Sequence, residues 1–178
     1  MAQSQRLPSF ASEPVRRSPR KELLRLLRTV DLECQTRDEA ELLADFAAHL
    51  LPDPEQGRFG IMELLLNAIE HGNLEIGGTL KCRLLREQRF EDEIAARIDR
   101  EPYRKRRVRV RIGLAYPAVE IAIRDDGPGF AWKPALATEL ELDERPNGRG
   151  ILLARTCFSS LEYRDPGNLV VVRTSWQW

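Results

Sequence analysis

One helix restricts the folds open to this chain of 178 residues. Residues 61–69 read "IMELLLNAI" and are apolar apart from positions 63 and 67. A helix that is apolar on nearly every side is stable only when other elements cover it. We therefore expect a layered domain with this helix in its interior, and a pocket facing its few polar side chains.

Those polar side chains form one stripe. At 100° per residue, the side chains of Glu63, Asn67, Glu70 and His71 fall on the same narrow strip of the helix. Buried carboxylates are costly unless they are paired or bound to a metal. An acid and an amide one turn apart suit Mg²⁺, which prefers oxygen ligands, and the acid could instead act as a general base. A partly exposed helix with a merely solvated stripe explains the pattern equally well.

A second polar cluster follows a predicted strand. The sequence "IAIRDDGPGF" leads from alternating apolar residues into Asp125 and Asp126, then Gly127 and Gly129. A carboxylate at a strand end can accept from an exocyclic amine, and glycine lets the backbone approach a flat ligand closely. The same residues are also typical of an ordinary tight turn.

A third motif, "GRGI", opens a predicted helix. Free backbone N–H groups and the helix dipole after Gly148 and Gly150 can hold phosphate, and Arg149 adds positive charge. A flexible loop before a helix explains this pair of glycines as well. None of the three motifs identifies a site by itself.

The remaining pattern predicts a two-layer α+β sandwich, with helices on one face of a mixed, mostly antiparallel sheet. Thr36 with Glu39 resembles a capping box, and Asp53 followed by Pro54 suits a second helix start. Alternation of period two, with a turn between, predicts two hairpins. The predicted strands are 26–34, 79–85, 106–114, 118–124, 160–165 and 169–176, and the predicted helices are 35–51, 54–71, 87–101 and 148–158.

Composition excludes some classes of function. The chain has 28 basic and 28 acidic residues, so its formal net charge is zero. This argues against nucleic acid or an anionic membrane as the main partner. Three scattered cysteines without metal-ligand spacing suit a reducing compartment such as the cytoplasm, and no apolar run approaches the roughly 20 residues of a membrane span. We expect a disordered leader over 1–22 and one domain over 23–178.

The order of the three motifs is more specific than any one of them. An acid and amide helix, then Asp-x-Gly-x-Gly after a strand, then Gly-x-Gly opening a helix resembles the Bergerat nucleotide-binding fold. This is the fold of the GHKL superfamily of gyrase, histidine kinases and their relatives. The "NAIEHGN" segment looks most like the anti-sigma-factor serine kinase branch. The resemblance covers roughly residues 25–175.

That resemblance implies a role for each matching residue. Asn67 would ligate Mg²⁺, Glu63 would act as the base or orient the attacking hydroxyl, and Asp125 would accept from the adenine amine. The other matching residues would border the nucleotide: Glu70, His71, Gly127, Gly129, Phe130, Gly148, Arg149 and Gly150. A purely structural capping role is an equal alternative for His71 and for Asn73.

The chain also departs from the family pattern. Many relatives carry a threonine near the adenine on the last strand, where Val171 stands at about that place here. The charged segment 87–107 is either a partner surface or a solvated helix. The stretch 131–147, predicted to be a loop or short helix, would form only a small lid.

The resemblance implies a kinase that uses Mg²⁺ and ATP to phosphorylate a serine or threonine on a STAS-type anti-sigma-factor antagonist. Such a kinase would also bind a sigma factor or a similar regulator. The alternative is a nucleotide-gated binding module in which ATP and ADP select a partner without phosphotransfer. A histidine kinase domain acting in trans has less support, because the only histidines are His49 and His71 and no histidine-bearing dimerisation hairpin is visible. Members of the resembled family often form homodimers, but the sequence leaves the oligomeric state open.

Overall fold

The computed structural model describes residues 26–115, 117–133 and 149–176, with the backbone alone for Arg149. The predicted leader, Gly148 and most of the predicted lid lie outside these residues.

A five-stranded sheet forms one layer. Its strands are β1 (Thr29–Cys34), β2 (Val108–Ala115), β3 (Ala118–Arg124), β4 (Ser160–Arg164) and β5 (Leu169–Ser175). Their order across the sheet is β1-β2-β3-β5-β4, and each of these neighbouring pairs is antiparallel. The predicted α+β sandwich is confirmed, and both predicted hairpins form.

Helices make the second layer. They are α1 (Arg37–Ala48), α2 (Pro54–Asn67), a π-helical turn (Ala68–Asn73), α3 (Gly78–Arg86), α4 (Phe90–Ile98), a short 3-10 turn (Tyr103–Lys105) and α5 (Arg149–Thr156). The capping box of Thr36 and Glu39 is present, and Asp53 caps Gln56 N–H ahead of Pro54. The central helix α2 packs between α1 and α5 over the sheet. This burial on several sides is what its apolar sequence predicted.

The strand predicted over 79–85 is wrong, because these residues form α3. Leu80 and Leu84 recur with helical spacing, and Leu84 is buried in the core while Leu80 packs against it. Lys81 on the same helix reaches Glu70 of the π-helical turn. A segment of seven residues is too short for its apolar pattern to distinguish a helix from a strand, so tertiary packing determines the outcome here.

Val171 does not lie where the sequence placed it. It pairs with Ala122 and Glu162, on the face of the sheet turned away from the helices. Val170 pairs with Ile123 and Tyr163, and these three side chains belong to the core. Val170 is therefore the residue of the last strand that lies on the helix-facing side beside the predicted base pocket.

No helix in the described part of the chain combines the length and the apolar character needed to cross a membrane.

Candidate nucleotide site

Three predicted residues meet at the C-terminal half of α2. Glu63 and Asn67 are both half-buried, and α5 begins directly beside them. A Cβ atom added to Gly150 would lie 2.5 Å from Glu63 Oε2 and 3.4 Å from Asn67 Nδ2. A side chain at position 150 would meet the Glu63 carboxylate, so glycine leaves that carboxylate room beside the start of α5. We call Glu63, Asn67 and Gly150 the phosphate end.

Asn67 carries an unused polar atom at this end. Its Nδ2 is buried and has no hydrogen-bonding partner among the residues described. A buried polar group of this kind in a folded protein usually belongs to a binding site or to an ordered water. Since none of the described residues satisfies this donor, Asn67 Nδ2 is available to a ligand or a water molecule.

Asp125 lies at the other end of the site, where β3 stops. The residue is 8% exposed, and its Oδ1 accepts from Gly127 N–H at 2.8 Å. Burial, partly offset by backbone hydrogen bonds, raises the pKa of the Asp125 carboxyl to about 6. Gly72 packs directly on this carboxylate, since a Cβ there would lie 2.5 Å from Oδ1. We call Asp125, Gly72 and Gly127 the base end.

The turn between β4 and β5 fixes the glycine loop. Phe130 N–H donates to Pro166 O at 2.9 Å, and Asp125 N–H donates to Asn168 O at 3.0 Å. Gly129 has φ of +80°, which favours glycine, and a Cβ there would lie 2.7 Å from Pro166 C. Two backbone segments distant in sequence are thus in direct contact, and glycine is what permits it.

Aromatic side chains close one side of the base end. Phe130 meets Tyr163 edge to face, with ring centroids 5.0 Å apart. Tyr163 is buried on β4, and burial together with the nearby charge of Asp125 raises the pKa of its phenol. The side wall is therefore a buried phenol beside a carboxylate, with the partly exposed Phe130 ring at its edge.

The predicted stripe is wrong at Glu70. The helix changes to a π-helical turn after Asn67, so the rotation per residue falls below 100° and Glu70 leaves the strip that holds Glu63. Glu70 is 1% exposed and pairs with Lys81 Nζ at 2.5 Å, with Arg37 at 4.0 Å. Its assignment to nucleotide binding stays a prediction, and the partners it has are structural.

His71 is exposed on the same turn, and its Nδ1 donates to Ile76 O at 2.5 Å. This hydrogen bond fixes the orientation of the ring. Asn73 is buried, and its Oδ1 accepts Asp126 N–H at 2.7 Å. Asn73 therefore helps to place the Asp125–Gly127 segment against the helical layer.

The second aspartate of the motif has a different role from the first. The Asp126 carboxylate accepts Arg107 N–H at 3.0 Å and forms an ion pair with Arg109 at 2.8 Å. Because these contacts occupy the Asp126 carboxylate, Asp125 is the acceptor left for a ligand.

The family model for the histidine kinase-like ATPase domain matches residues 17–174. The chain belongs to this family. A search of curated proteins finds no match. The range that matches the histidine kinase-like ATPase model contains both ends of the site and the β4–β5 turn.

The donor set of this histidine kinase-like ATPase domain suits Mg²⁺ held partly by a ligand. Within the described ranges, no group of three or more histidine, cysteine or acidic side chains could hold a metal alone. The atoms of Asn67 and Glu63 that could ligate a metal are oxygens. Mg²⁺ commonly takes one or two protein oxygens together with phosphates and waters. The residues present therefore fit Mg²⁺ bound together with a nucleotide.

Sequence reasoning missed Tyr163 and Asn168 as site residues. Both come from the β4–β5 hairpin, about 40 residues after Asp125, and they reach it only through strand pairing. The alternation in "SLEYRD" does place Tyr163 on one face with Leu161. The "PGN" turn, read only as a turn, was the signal for the contact with the glycine loop.

Of the other predicted residues, Gly148 lies outside the described residues and the Arg149 side chain is not described.

Proposed function

We propose that this domain binds ATP with Mg²⁺ and transfers the terminal phosphoryl group to a serine or threonine of a small STAS-type regulatory protein. The observation that carries the proposal is the meeting of Glu63, Asn67 and Gly150 at one end of a site with Asp125 at its other end. A carboxylate and an amide at the triphosphate, together with a buried acceptor for the base, are the parts that this reaction needs.

Glu63 has the chemistry of the base in this transfer. The acceptor hydroxyl oxygen forms a bond to the γ-phosphorus while the bond from that phosphorus to the β–γ bridging oxygen breaks. ADP leaves, and the hydroxyl proton passes to the Glu63 carboxylate. Gly150, by its lack of a side chain, leaves room for this carboxylate beside the start of α5.

Asn67 would hold Mg²⁺ through its side-chain oxygen. Bound there, Mg²⁺ would supply charge neutralisation for the phosphates, and positioning by the protein would supply most of the rest. The start of α5 presents backbone N–H groups on the same side, where they favour phosphate.

Asp125 would select the purine base of the nucleotide. Its buried carboxylate can accept from an exocyclic amine, and Gly72 and Gly127 leave the backbone bare around it. A base with a carbonyl oxygen in place of the amine would face this carboxylate with like partial charge.

The partner is proposed from the resemblance of residues 67–73 to the anti-sigma-factor serine kinases. A kinase of that kind would also bind a sigma factor or a similar regulator, and a homodimer is the assembly proposed with it.

Label transfer from γ-labelled ATP tests this proposal. The purified chain is mixed with STAS-type proteins from its own genome, with Glu63→Gln and Asp125→Asn as matched variants. We expect label on a serine or threonine, lost in both variants. If the wild-type chain binds ATP with Mg²⁺ but labels no partner, it is a nucleotide-gated binding module, and partner affinity with ATP against ADP is the next comparison. Undiminished transfer by Glu63→Gln would remove Glu63 from the role of base.

A further inference from the structure

Asn168 joins the β4–β5 turn to the base end. Its carbonyl accepts Asp125 N–H at 3.0 Å, which extends the ladder between β3 and β5 by one bond. Its side-chain Nδ2 donates to Asp125 O at 3.3 Å and to Gly127 O at 3.5 Å. Both the main chain and the side chain of Asn168 therefore contact the segment that carries Asp125.

The neighbours of this amide determine which way round it lies. A carbonyl oxygen can only accept, so the end of the amide that faces Asp125 O and Gly127 O must be the NH₂ group. Oδ1 is then the other end of the amide. It is buried, and no hydrogen-bonding partner for it exists among the residues that the structure describes.

A buried acceptor without a partner is rare, because it has lost its water and gained nothing in return. The hydrogen bonds between the β4–β5 turn and the glycine loop do not involve Oδ1, since they use Asn168 Nδ2 and backbone atoms. The site thus has two acceptors, the Asp125 carboxylate and Asn168 Oδ1, on residues that are hydrogen-bonded to each other at the ends of neighbouring strands.

We propose that Asn168 Oδ1 is a second acceptor for the base, and that it works with Asp125 to select a 6-aminopurine. This rests on the proposed function, because it assumes that a nucleotide enters the site. An exocyclic amine carries two N–H donors, and a single carboxylate in line with one of them leaves the other to water. With two acceptors, both donors are satisfied inside the protein, whereas a 6-oxo base has an acceptor where both donors are needed.

The test compares two nucleotides in two proteins. Affinity is measured by calorimetry for ATP and for purine riboside triphosphate, which lacks the 6-amino group, using the wild type and Asn168→Ala. Pro166→Ala is the matched control, since it alters the same turn but keeps the Asn168 amide and the carbonyl at position 166. Thermal unfolding of each protein shows whether the turn still forms.

We expect Asn168→Ala to weaken ATP binding by about tenfold, the effect of one lost buried hydrogen bond. Binding of the analogue should change much less, and Pro166→Ala should treat both nucleotides alike. An equal loss of affinity for both nucleotides in Asn168→Ala would mean that Asn168 only holds the turn against the glycine loop, and it would overturn the inference. Unchanged affinity for ATP would overturn it as well.

A second measurement needs no variant. N6-methyl-ATP keeps one N–H donor and loses the other, so wild-type protein with two acceptors should bind it about tenfold more weakly than ATP. Equal binding of the two would contradict the inference even if Asn168→Ala failed to fold. If the wild type bound no nucleotide at all, the proposed function itself would fall, whereas failure of this inference alone leaves ATP binding intact.

Discussion

The two ends of the site are built in different ways. At the base end, the protein supplies most partners itself: Asp125 accepts from Gly127, the β4–β5 turn bonds to the glycine loop, and Asn73 bonds to Asp126. At the phosphate end, Asn67 Nδ2 has no partner among the described residues, and the close contact at Gly150 is with the mobile tip of a side chain. The backbone of the base end is therefore set before a ligand arrives, with Asn73 Nδ2 and Asn168 Oδ1 still without partners among the described residues, whereas at the phosphate end a ligand would complete the side-chain contacts.

Matched glycine substitutions separate the two ends most strongly. A Cβ at Gly127 would lie 2.6 Å from Gly72 C, which is backbone and cannot move aside without shifting the π-helical turn. We expect Gly127→Ala to lower the free energy of unfolding by about 3 kcal/mol or more. Denaturant unfolding measures this change. A loss of unfolding free energy below about 1 kcal/mol would mean that the backbone of the base end shifts easily to accept a side chain, despite its hydrogen bonds.

The ion pair beside the site should rank second. Lys81→Met would leave the Glu70 side chain, 2% exposed, with Arg37 at 4.0 Å as its remaining ion-pair partner among the described residues. We expect a loss of about 2 kcal/mol in unfolding free energy, less than for a fully buried pair because Lys81 is itself partly exposed.

Arg83→Met, which removes an exposed cation from the same helix, serves as the control for Lys81→Met and should change stability little. Adding Glu70→Gln to Lys81→Met should recover part of the loss. No recovery in the double variant would show that the cost lies in packing rather than in charge.

Gly150→Ala should affect chemistry and not folding. The added Cβ meets Glu63 Oε2, the far end of a flexible side chain that can rotate away. We expect phosphoryl transfer to fall about tenfold or more, because the Glu63 carboxylate is displaced, while the free energy of unfolding changes by less than about 1 kcal/mol. Labelled transfer and unfolding are measured on the same preparation. A large loss of stability would place Gly150 among the structural glycines, like Gly127.

A pH titration gives the smallest expected effect. The pKa of Asp125 is raised to about 6, above its ordinary value, so the folded state binds the proton more readily than the unfolded state. Its contribution to stability is therefore present at low pH and is lost as pH rises through about 6.

Adenosine affinity should follow the opposite course, since the ionised carboxylate is the better acceptor. We expect binding about tenfold weaker at about pH 5 than at about pH 7, with a flat profile in Asp125→Asn. Adenosine avoids titration of phosphate. A flat profile in the wild type would mean that Asp125 does not contact the base.

The same contrast explains what could be predicted from the sequence. The phosphate end lies on one helix and at the start of another, so Glu63, Asn67 and Gly150 could be named from local spacing. The strand hairpins and the caps at Thr36 and Asp53 were local in the same sense, and they are confirmed.

The failures all depend on contacts distant in sequence. The π-helical turn removed Glu70 from the predicted stripe, where Lys81 and Arg37 now pair with it. The register between β3 and β5 put Val170 rather than Val171 beside the base end, and it brought Asn168 to Asp125. A shift of one residue in that register reverses every side chain of the strand, and periodicity alone does not fix it.

The most direct test of the account is a calorimetric titration with ATP in the presence and absence of Mg²⁺, on the wild type and on Asn67→Ala. If both ends form one site, wild-type protein binds ATP, and Mg²⁺ tightens that binding about tenfold or more. Asn67→Ala should keep the Mg²⁺-independent part, which belongs to the base end, and lose the increment. Equal enhancement by Mg²⁺ in both proteins, or no binding of ATP by the wild type, would contradict the account.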